Sequence, residues 1–359
     1  MRGLRSMKLS KETKKLFKVR RRFSWGYVLV PLLALLLLLS YMIYDGSRIR
    51  LDSVRISMPT LPKALEGYTI LHLSDIHEFN FGEGAQALAE ALDGAKPSIA
   101  VISGGLTDDE GGAEGFLQAL GYLQEQKIPC YYVLGDRDPP YTDYQTDGSF
   151  GVNELYQRAE ALGAIYLDLP VNLYEGDTGL WLLPTSSLLL DTQSALTSLD
   201  ALEQTYLNDE AAVAATGHSL EALLQSIDCR RQNTLAFQAQ MELHTQNDLN
   251  IFLTHLPAMP GKYQTETTTS IYKDADLILA GHNHGGVRLP LLGCLRVFNE
   301  QFPRGGWLPN NALVSGLSNL SGWTQYISPG LGTGSVRWYS QRWFSTPTIT
   351  LIQLTKSVA

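Results

Sequence analysis

Five short segments between residues 74 and 284 carry side chains that proteins use to bind metal ions, and each follows an apolar run. They are Ser-Asp-Ile-His at 74–77, Ser-Gly-Gly-Leu-Thr-Asp at 103–108, Leu-Gly-Asp-Arg-Asp at 134–138, Leu-Thr-His at 253–255 and Gly-His-Asn-His at 281–284. Short runs rich in Ile, Val, Leu and Tyr predict buried strands. Polar residues at the carboxyl ends of strands are typical of ligand sites in open α/β sheets.

The predicted strands alternate with stretches of helical spacing, such as residues 84–95 and 115–126, which favours an α/β layered domain. Between about 188 and 245, leucines recur at helical spacing among polar residues and predict two or three amphipathic helices. Their apolar stripes are interpreted as core rather than as a partner-binding surface. The predicted strands are residues 68–73, 98–103, 128–134, 180–183, 250–254, 277–280 and 348–354.

The ligand-type side chains have spacings that suit a transition metal. Asp75 and His77, two residues apart in a turn, can bind one ion, and their donor types favour Mn, Fe or Zn over Ca. His282 and His284 lie between glycines and can serve two adjacent ions, one each. Taken singly, a capped turn or exposed loop histidines would explain these pairs, but His255 and the shared strand-end setting favour a metal centre.

The remaining three histidines do not lie at the end of a predicted strand. His72 lies inside a predicted strand and is interpreted as a satisfied core residue, and His218 and His244 as parts of the helical insert.

The order of the five segments resembles that of the calcineurin-like metallophosphoesterases. That pattern runs Asp-x-His, Gly-Asp, Gly-Asn-His, His and Gly-His-x-His, and a two-metal centre hydrolyses phosphate esters. The stretches 61–67, 285–290 and 325–334 are similar to a bacterial membrane-associated branch, so the resemblance covers about residues 55–354. It implies an α/β fold, a metallophosphoesterase β-sandwich flanked by helices, here preceded by one transmembrane helix.

The resemblance also implies two divalent transition metal ions, Mn, Fe or Zn, and assigns their ligands. One ion would be held by Asp75, His77 and His284. The other would be held by Asp136, His255 and His282.

Three positions depart from the family pattern. Gly105 stands where the family has its bridging Asp, Asp136 where it has Asn, and Arg137 where it has the catalytic His. Asp136 restores one negative charge, and Arg137 can clamp phosphate oxygens but cannot act as a general acid. Two functions stay open: a weakened phosphoesterase with Asp136 and Arg137 at the reaction site, or a degenerate member that binds a phosphorylated ligand or a partner.

Residues 25–44 contain no charged side chain and have a leucine-rich centre. Twenty helical residues span about 30 Å, the thickness of bilayer hydrocarbon. The segment is interpreted as a single-pass anchor. The alternatives are a cleavable signal, a twin-arginine export signal and a buried core helix. Ten of the 28 Lys and Arg residues but only one of the 36 acids lie in residues 1–22. This bias predicts a cytoplasmic N-terminus, with the main domain outside the cytoplasm at the cell membrane.

These features divide the chain into a basic tail at 1–24, the transmembrane helix at 25–44, a linker and first strand at 45–67, and a metallophosphoesterase-like domain at 68–359. Residues 23–359 hold the other 18 basic residues against 35 acidic ones. Nucleic-acid phosphates would repel a domain with this excess of acidic residues. Nucleic acid is therefore excluded as a partner. The expected partners are the membrane and a phosphorylated small molecule or lipid-linked substrate.

Overall fold

The apolar runs of the sequence form two six-stranded sheets in the computed structural model, which describes residues 26–185, 191–259, 274–319, 323–333 and 342–357. Within these residues, the first sheet has the strand order β1-β16-β2-β3-β4-β7 and the second β14-β15-β11-β10-β9-β8. The strands of the first sheet are β1 Arg50–Ser57, β2 Thr69–Leu73, β3 Ile99–Ser103, β4 Cys130–Val133, β7 Ala164–Tyr166 and β16 Thr348–Thr355. Those of the second are β8 Val171–Tyr174, β9 Leu180–Pro184, β10 Leu249–Leu253, β11 Leu277–Ala280, β14 Gly316–Ser318 and β15 Gln325–Ile327.

Two hairpins and seven α-helices lie outside the two large sheets in the part of the chain that the structure describes. The hairpins pair β5 Thr142–Tyr144 with β6 Phe150–Val152, and β12 Val287–Leu289 with β13 Gly293–Arg296. The helices are α1 Gly26–Ser47, α2 Gln86–Leu92, α3 Glu114–Glu125, α4 Glu154–Ala161, α5 Thr192–Asn208, α6 Glu210–Thr216 and α7 Leu220–Leu243.

The two sheets pack face to face. Their shared core contains Val101 and Ile352 from the first sheet and Leu182 and Ile251 from the second, all of them buried. The outer face of the first sheet is covered by apolar residues of α2, α3 and α4, including Phe116. This layered arrangement confirms the predicted β-sandwich flanked by helices, and it buries strands on both faces, as their continuous apolar sequences require.

Parallel pairing brings the carboxyl ends of several strands to one edge of the sandwich. Strands β2, β3 and β4 run parallel in the first sheet, and β10 and β11 run parallel in the second. The loops that leave these five strands contain all five metal-type segments of the sequence. The topology therefore accounts for why residues more than 200 positions apart lie close together.

The segment between β9 and β10 is helical where it is described. Helices α5 and α7 pack against each other, and Leu199, Leu223 and Ile227 of their apolar stripes are buried. The N-caps are polar: Asp191 accepts a hydrogen bond from Ser194 N, and Ser219 Oγ accepts one from Ala222 N.

The chain divides between Tyr44 and Asp45 into two units. Helix α1 is long and apolar enough, over Tyr27–Ser47, to cross a membrane. Apolar side chains on every side of this helix are exposed. The basic stretch and Trp25 lie outside the described residues.

Candidate metal centre

The loops at the sandwich edge hold their ligand-type residues in an uncommon backbone conformation. Asp75, His77, His282 and His284 all have positive φ angles, of 49°, 44°, 70° and 49°. Residues other than glycine rarely adopt this left-handed region, and such strain clusters at functional sites. The strand-end turns are thus sharply bent, which allows ligand-type side chains from separate loops to approach each other.

Asp75, His77 and His284 form the first group of potential ligands. Oδ1 of Asp75 lies 3.9 Å from Nε2 of His77 and 3.8 Å from Nε2 of His284. Asp75 is completely buried, and its carboxylate accepts hydrogen bonds from the His282 backbone N–H and the Ser74 hydroxyl. The three donor atoms are close enough together to hold a single ion.

Asp136, His255 and His282 form the second group. Oδ1 of Asp136 lies 3.1 Å from Nε2 of His255 and 3.6 Å from Nδ1 of His282, and the two ring nitrogens are 3.1 Å apart. The structure therefore brings together the same two sets of three residues that the sequence resemblance assigned to two ions.

Backbone carbonyls orient three of the four imidazoles. Nδ1 of His77 donates to the Thr107 carbonyl at 2.6 Å, and Nδ1 of His255 donates to the Ser103 carbonyl at 2.8 Å. His284 does the same to the Gly332 carbonyl at 3.0 Å. These bonds fix Nδ1 as the protonated nitrogen and leave Nε2 turned toward Asp75 or Asp136. Ligand histidines in metal proteins are supported in this way, so the donor set fits a metal centre.

Electrostatics at the centre follow from burial and from close pairing. Burial lowers the pKa of His284 to about 4, which keeps the ring neutral, as a metal ligand must be. Burial also opposes the charged form of His255, but the hydrogen bond to Asp136 raises its pKa to about 9. Burial would raise the pKa of Asp75, yet electrostatic interaction with the imidazoles of His284, His255 and His77 lowers it to about 2. Both carboxylates are thus anionic: hydrogen bonds from His255 and His282 hold the pKa of Asp136 well below its usual range.

Gly105 lies beside Asp75 and His77 of the first group, and its backbone leaves little room there for a side chain. A Cβ atom at this position would be 2.7 Å from Cα of Asp75 and 3.0 Å from Nε2 of His77. Its φ of +68° is itself in the left-handed region. The main chain has therefore closed to a distance that only glycine permits.

Arg137 is exposed and forms an ion pair outside the ligand groups. Its Nη1 lies 3.0 Å from Oδ1 of Asp109. Asp108 accepts hydrogen bonds from the backbone N–H groups of Glu110 and Gly112. Asp108 is thus engaged in its own loop and Asp109 pairs with the loop after β4, and neither belongs to the two ligand groups.

Two residues near the centre were given no role by the sequence analysis. Asp138 accepts hydrogen bonds from the backbone N–H groups of Gly105, Leu106, Thr107 and Gly135, and so ties together the loops after β3 and β4. Its position at the end of the segment 134–138 is the sequence feature that could have identified it as part of the site.

Arg342 is buried and donates from Nη1 to the same Gly332 carbonyl that orients His284. No motif in the sequence marks it.

His72 is the core histidine of strand β2 and belongs to neither ligand group. It is buried with Nε2 bonded to Ser103 Oγ, while its Nδ1 has no partner among the described residues. The prediction that His72 is satisfied thus holds for one ring nitrogen.

A sequence profile for the calcineurin-like phosphoesterases matches residues 68–286, more than half of the chain. The chain belongs to this family. The match begins at β2 and ends directly after His284, so it spans both groups of potential ligands. No significant match was found among curated proteins.

Two solved structures are among those similar to this fold. Phosphopantetheinyl hydrolase from Mycobacterium tuberculosis is 14% identical, with a TM-score of 0.33, and the match covers 80% of this chain and 96% of that one. The TT1561 protein of Thermus thermophilus is 13% identical, with a TM-score of 0.38, and the match covers 75% and 92% of the respective chains.

Proposed function

We propose that this protein is a membrane-anchored, metal-dependent phosphoesterase that hydrolyses phosphodiester or pyrophosphate bonds in a phosphorylated small molecule or a lipid-linked substrate. The observation that carries the proposal is the orientation of the imidazoles. Three of them are held by backbone carbonyls so that Nε2 faces a carboxylate of the same group. Two divalent ions, Mn, Fe or Zn, would supply an activated water and stabilise the charge that develops on phosphate.

The residues of the chain have separate roles in this proposal. Asp75, His77 and His284 hold one ion, and Asp136, His255 and His282 hold the other. Arg137, whose side chain is 60% exposed, would contact phosphate oxygens of the substrate. Arginine does not release its proton, so the leaving group receives no proton from this position. We therefore expect a rate roughly 10²- to 10⁴-fold below that of a site with a general acid there.

Membrane attachment rests on helix α1. Its length and composition suit a bilayer, and the basic residues that precede it favour a cytoplasmic N-terminus. The catalytic domain would then act outside the cytoplasm, on substrates at or near the membrane surface.

A second candidate function is binding without catalysis, and the surroundings of Gly105 favour it. The backbone there leaves no room for the bridging carboxylate of the family, and Arg137 pairs with Asp109 rather than with a ligand residue. A degenerate member would use the same loops to hold a phosphorylated ligand or a partner.

Metal content and hydrolysis together separate the two functions. Full-length protein purified in neutral detergent would be loaded with manganese or zinc, analysed for bound metal, and assayed with bis-p-nitrophenyl phosphate. The phosphoesterase should bind about two ions and turn over, and the His282→Ala/His284→Ala variant should lose most of both. Metal binding without turnover would support the degenerate member, and metal-free protein after loading would overturn the metal centre itself.

A further inference from the structure

The domain contains a polar cavity whose lining includes none of the residues of the two ligand groups. Its volume is about 200 Å³, enough for a phosphate group with part of its ester, and its lining includes Arg50, Asp52, Arg288, Ser315, Ser345 and Thr346. We refer to it as the Arg288 pocket. All of its lining residues belong to the unit that begins at Asp45.

The charges of the pocket are unevenly matched. Arg50 is paired with Asp52 through two contacts of 2.9 Å each, so the charges of these two residues offset each other. Arg288 is half-buried and donates to the neutral hydroxyl of Ser315 at 3.1 Å. Among the described residues, no carboxylate lies within salt-bridge distance of Arg288. A partly desolvated guanidinium that has no carboxylate partner of its own is a site for an anion.

We propose that the Arg288 pocket binds a phosphate ester, with the guanidinium of Arg288 and the hydroxyl group of Ser315 as its donors. Arginine matches phosphate because its planar fork donates two parallel hydrogen bonds to two oxygens. Ser345 and Thr346 also line the pocket, but their hydroxyl groups already donate their one hydrogen to the His284 carbonyl and to the Asp45 carboxylate.

The position of the pocket along the chain points to membrane lipid as a source of this phosphate. Thr346 donates to the carboxylate of Asp45, a residue in the last turn of α1. Arg50 follows the end of α1 at Ser47 by three residues, a reach of roughly 10 Å along the chain. Arg50 of the pocket thus follows closely, along the chain, on the segment whose length and composition suit a bilayer.

The hairpin that carries Arg288 has an apolar tip. Leu291 and Leu292, in the turn between β12 and β13, are among the most exposed apolar residues of the domain. Exposed leucines three and four residues from a phosphate-binding arginine suit contact with the acyl region of a lipid whose headgroup occupies the pocket.

Binding to metal-free protein tests the proposal without reference to hydrolysis. Full-length protein in neutral detergent, treated with EDTA so that the metal centre contributes nothing, would be titrated with dihexanoylphosphatidylglycerol, with glycerol 1-phosphate and with phosphate-free dihexanoylglycerol. We expect the two phosphate esters to bind and the phosphate-free lipid not to bind. Arg288→Gln should weaken phosphate-ester binding at least tenfold, whereas Arg55→Gln, an exposed arginine on β1 outside the pocket, should leave it unchanged.

Two further variants make the result independent of folding and identify the source. Asp52→Asn removes the negative charge of the pocket and should tighten binding several-fold, a gain that misfolding cannot produce. Leu291→Ser/Leu292→Ser should weaken binding of dihexanoylphosphatidylglycerol but not of glycerol 1-phosphate if the occupant is a lipid. If this double variant binds both esters as tightly as the wild type does, the pocket is assigned to soluble phosphate esters. Wild-type affinity in Arg288→Gln, or no gain in Asp52→Asn, would overturn the proposal.

Discussion

Oδ1 of Asp136 lies 3.1 Å from Nε2 of His255, so a carboxylate stands next to the ring nitrogen that would bind a metal ion. The family has a neutral Asn at this position, and the family's bridging Asp is replaced here by Gly105. The negative charge of the centre has thus moved from one loop to a neighbouring one. Because metal affinity depends on ligand charge, we expect Asp136 to offset the loss of the bridging Asp.

We expect Asp136→Asn to weaken binding of the second ion by at least about 10-fold, since even a residue that supports a ligand contributes that much. The change restores the family's own side chain, so a loss would show that the charge is compensatory. Metal titration of full-length protein in detergent would measure it. An unchanged or higher affinity would mean that Asp136 plays no part in binding. Asp109→Asn, which removes an acidic residue outside both ligand groups, is the matched control.

Asp138 should prove more important for stability than its neighbours. Its carboxylate accepts four backbone N–H groups from two loops, and Asp138→Ala would leave these donors without partners. We expect a loss of at least about 2 kcal/mol in the free energy of unfolding. Asp108→Ala removes a carboxylate that serves only its own loop and should cost about 1 kcal/mol or less. Thermal unfolding of both variants without metal would compare them, and equal costs would contradict the prediction.

The sequence was sufficient to predict the sheets and the convergence of the ligand residues, because each motif directly follows an apolar run. Strand-end position is a local property, and parallel pairing then brings the ends together. The supporting contacts could not be predicted in this way. The carbonyl of Gly332 and the guanidinium of Arg342 approach His284 from distant loops that have no periodic pattern. Likewise, the pairing of Arg137 with Asp109 depends on loop geometry rather than on residue type.

The topology of the protein is a separate prediction. Residues 45–359 should lie outside the cytoplasm, because positively charged residues before a span are retained inside. Protease added to intact spheroplasts should digest a C-terminal epitope tag and leave a cytoplasmic marker protein intact. Replacing the basic residues of the stretch 1–22 by neutral ones should reduce digestion, since the orientation would no longer be biased. A tag protected in the wild-type protein would reverse the predicted orientation.

The last prediction concerns Gly105, where structural strain and metal binding oppose each other. A side chain there meets Cα of Asp75 at 2.7 Å and must adopt φ near +68°. Left-handed backbone alone costs about 1–2 kcal/mol for a residue with a Cβ. Without metal, Gly105→Ala and Gly105→Asp should both unfold at lower temperature than the wild type. With manganese, Gly105→Asp alone should recover stability, because its carboxylate can contact both ions.

The same variants show whether the altered positions limit catalysis. Gly105→Asp should raise hydrolysis of bis-p-nitrophenyl phosphate under saturating manganese, and adding Arg137→His should raise it further, roughly 10²-fold, by supplying a group that can protonate the leaving oxygen. Gly105→Ala has the strain without the carboxylate and should show no gain. Arg137→Ala in the Gly105→Asp background removes the guanidinium without adding an acid, and its rate should stay well below that of the His variant. If neither Gly105→Asp nor the double variant is faster than the wild type, this centre is not a weakened form of the family's phosphodiesterase site.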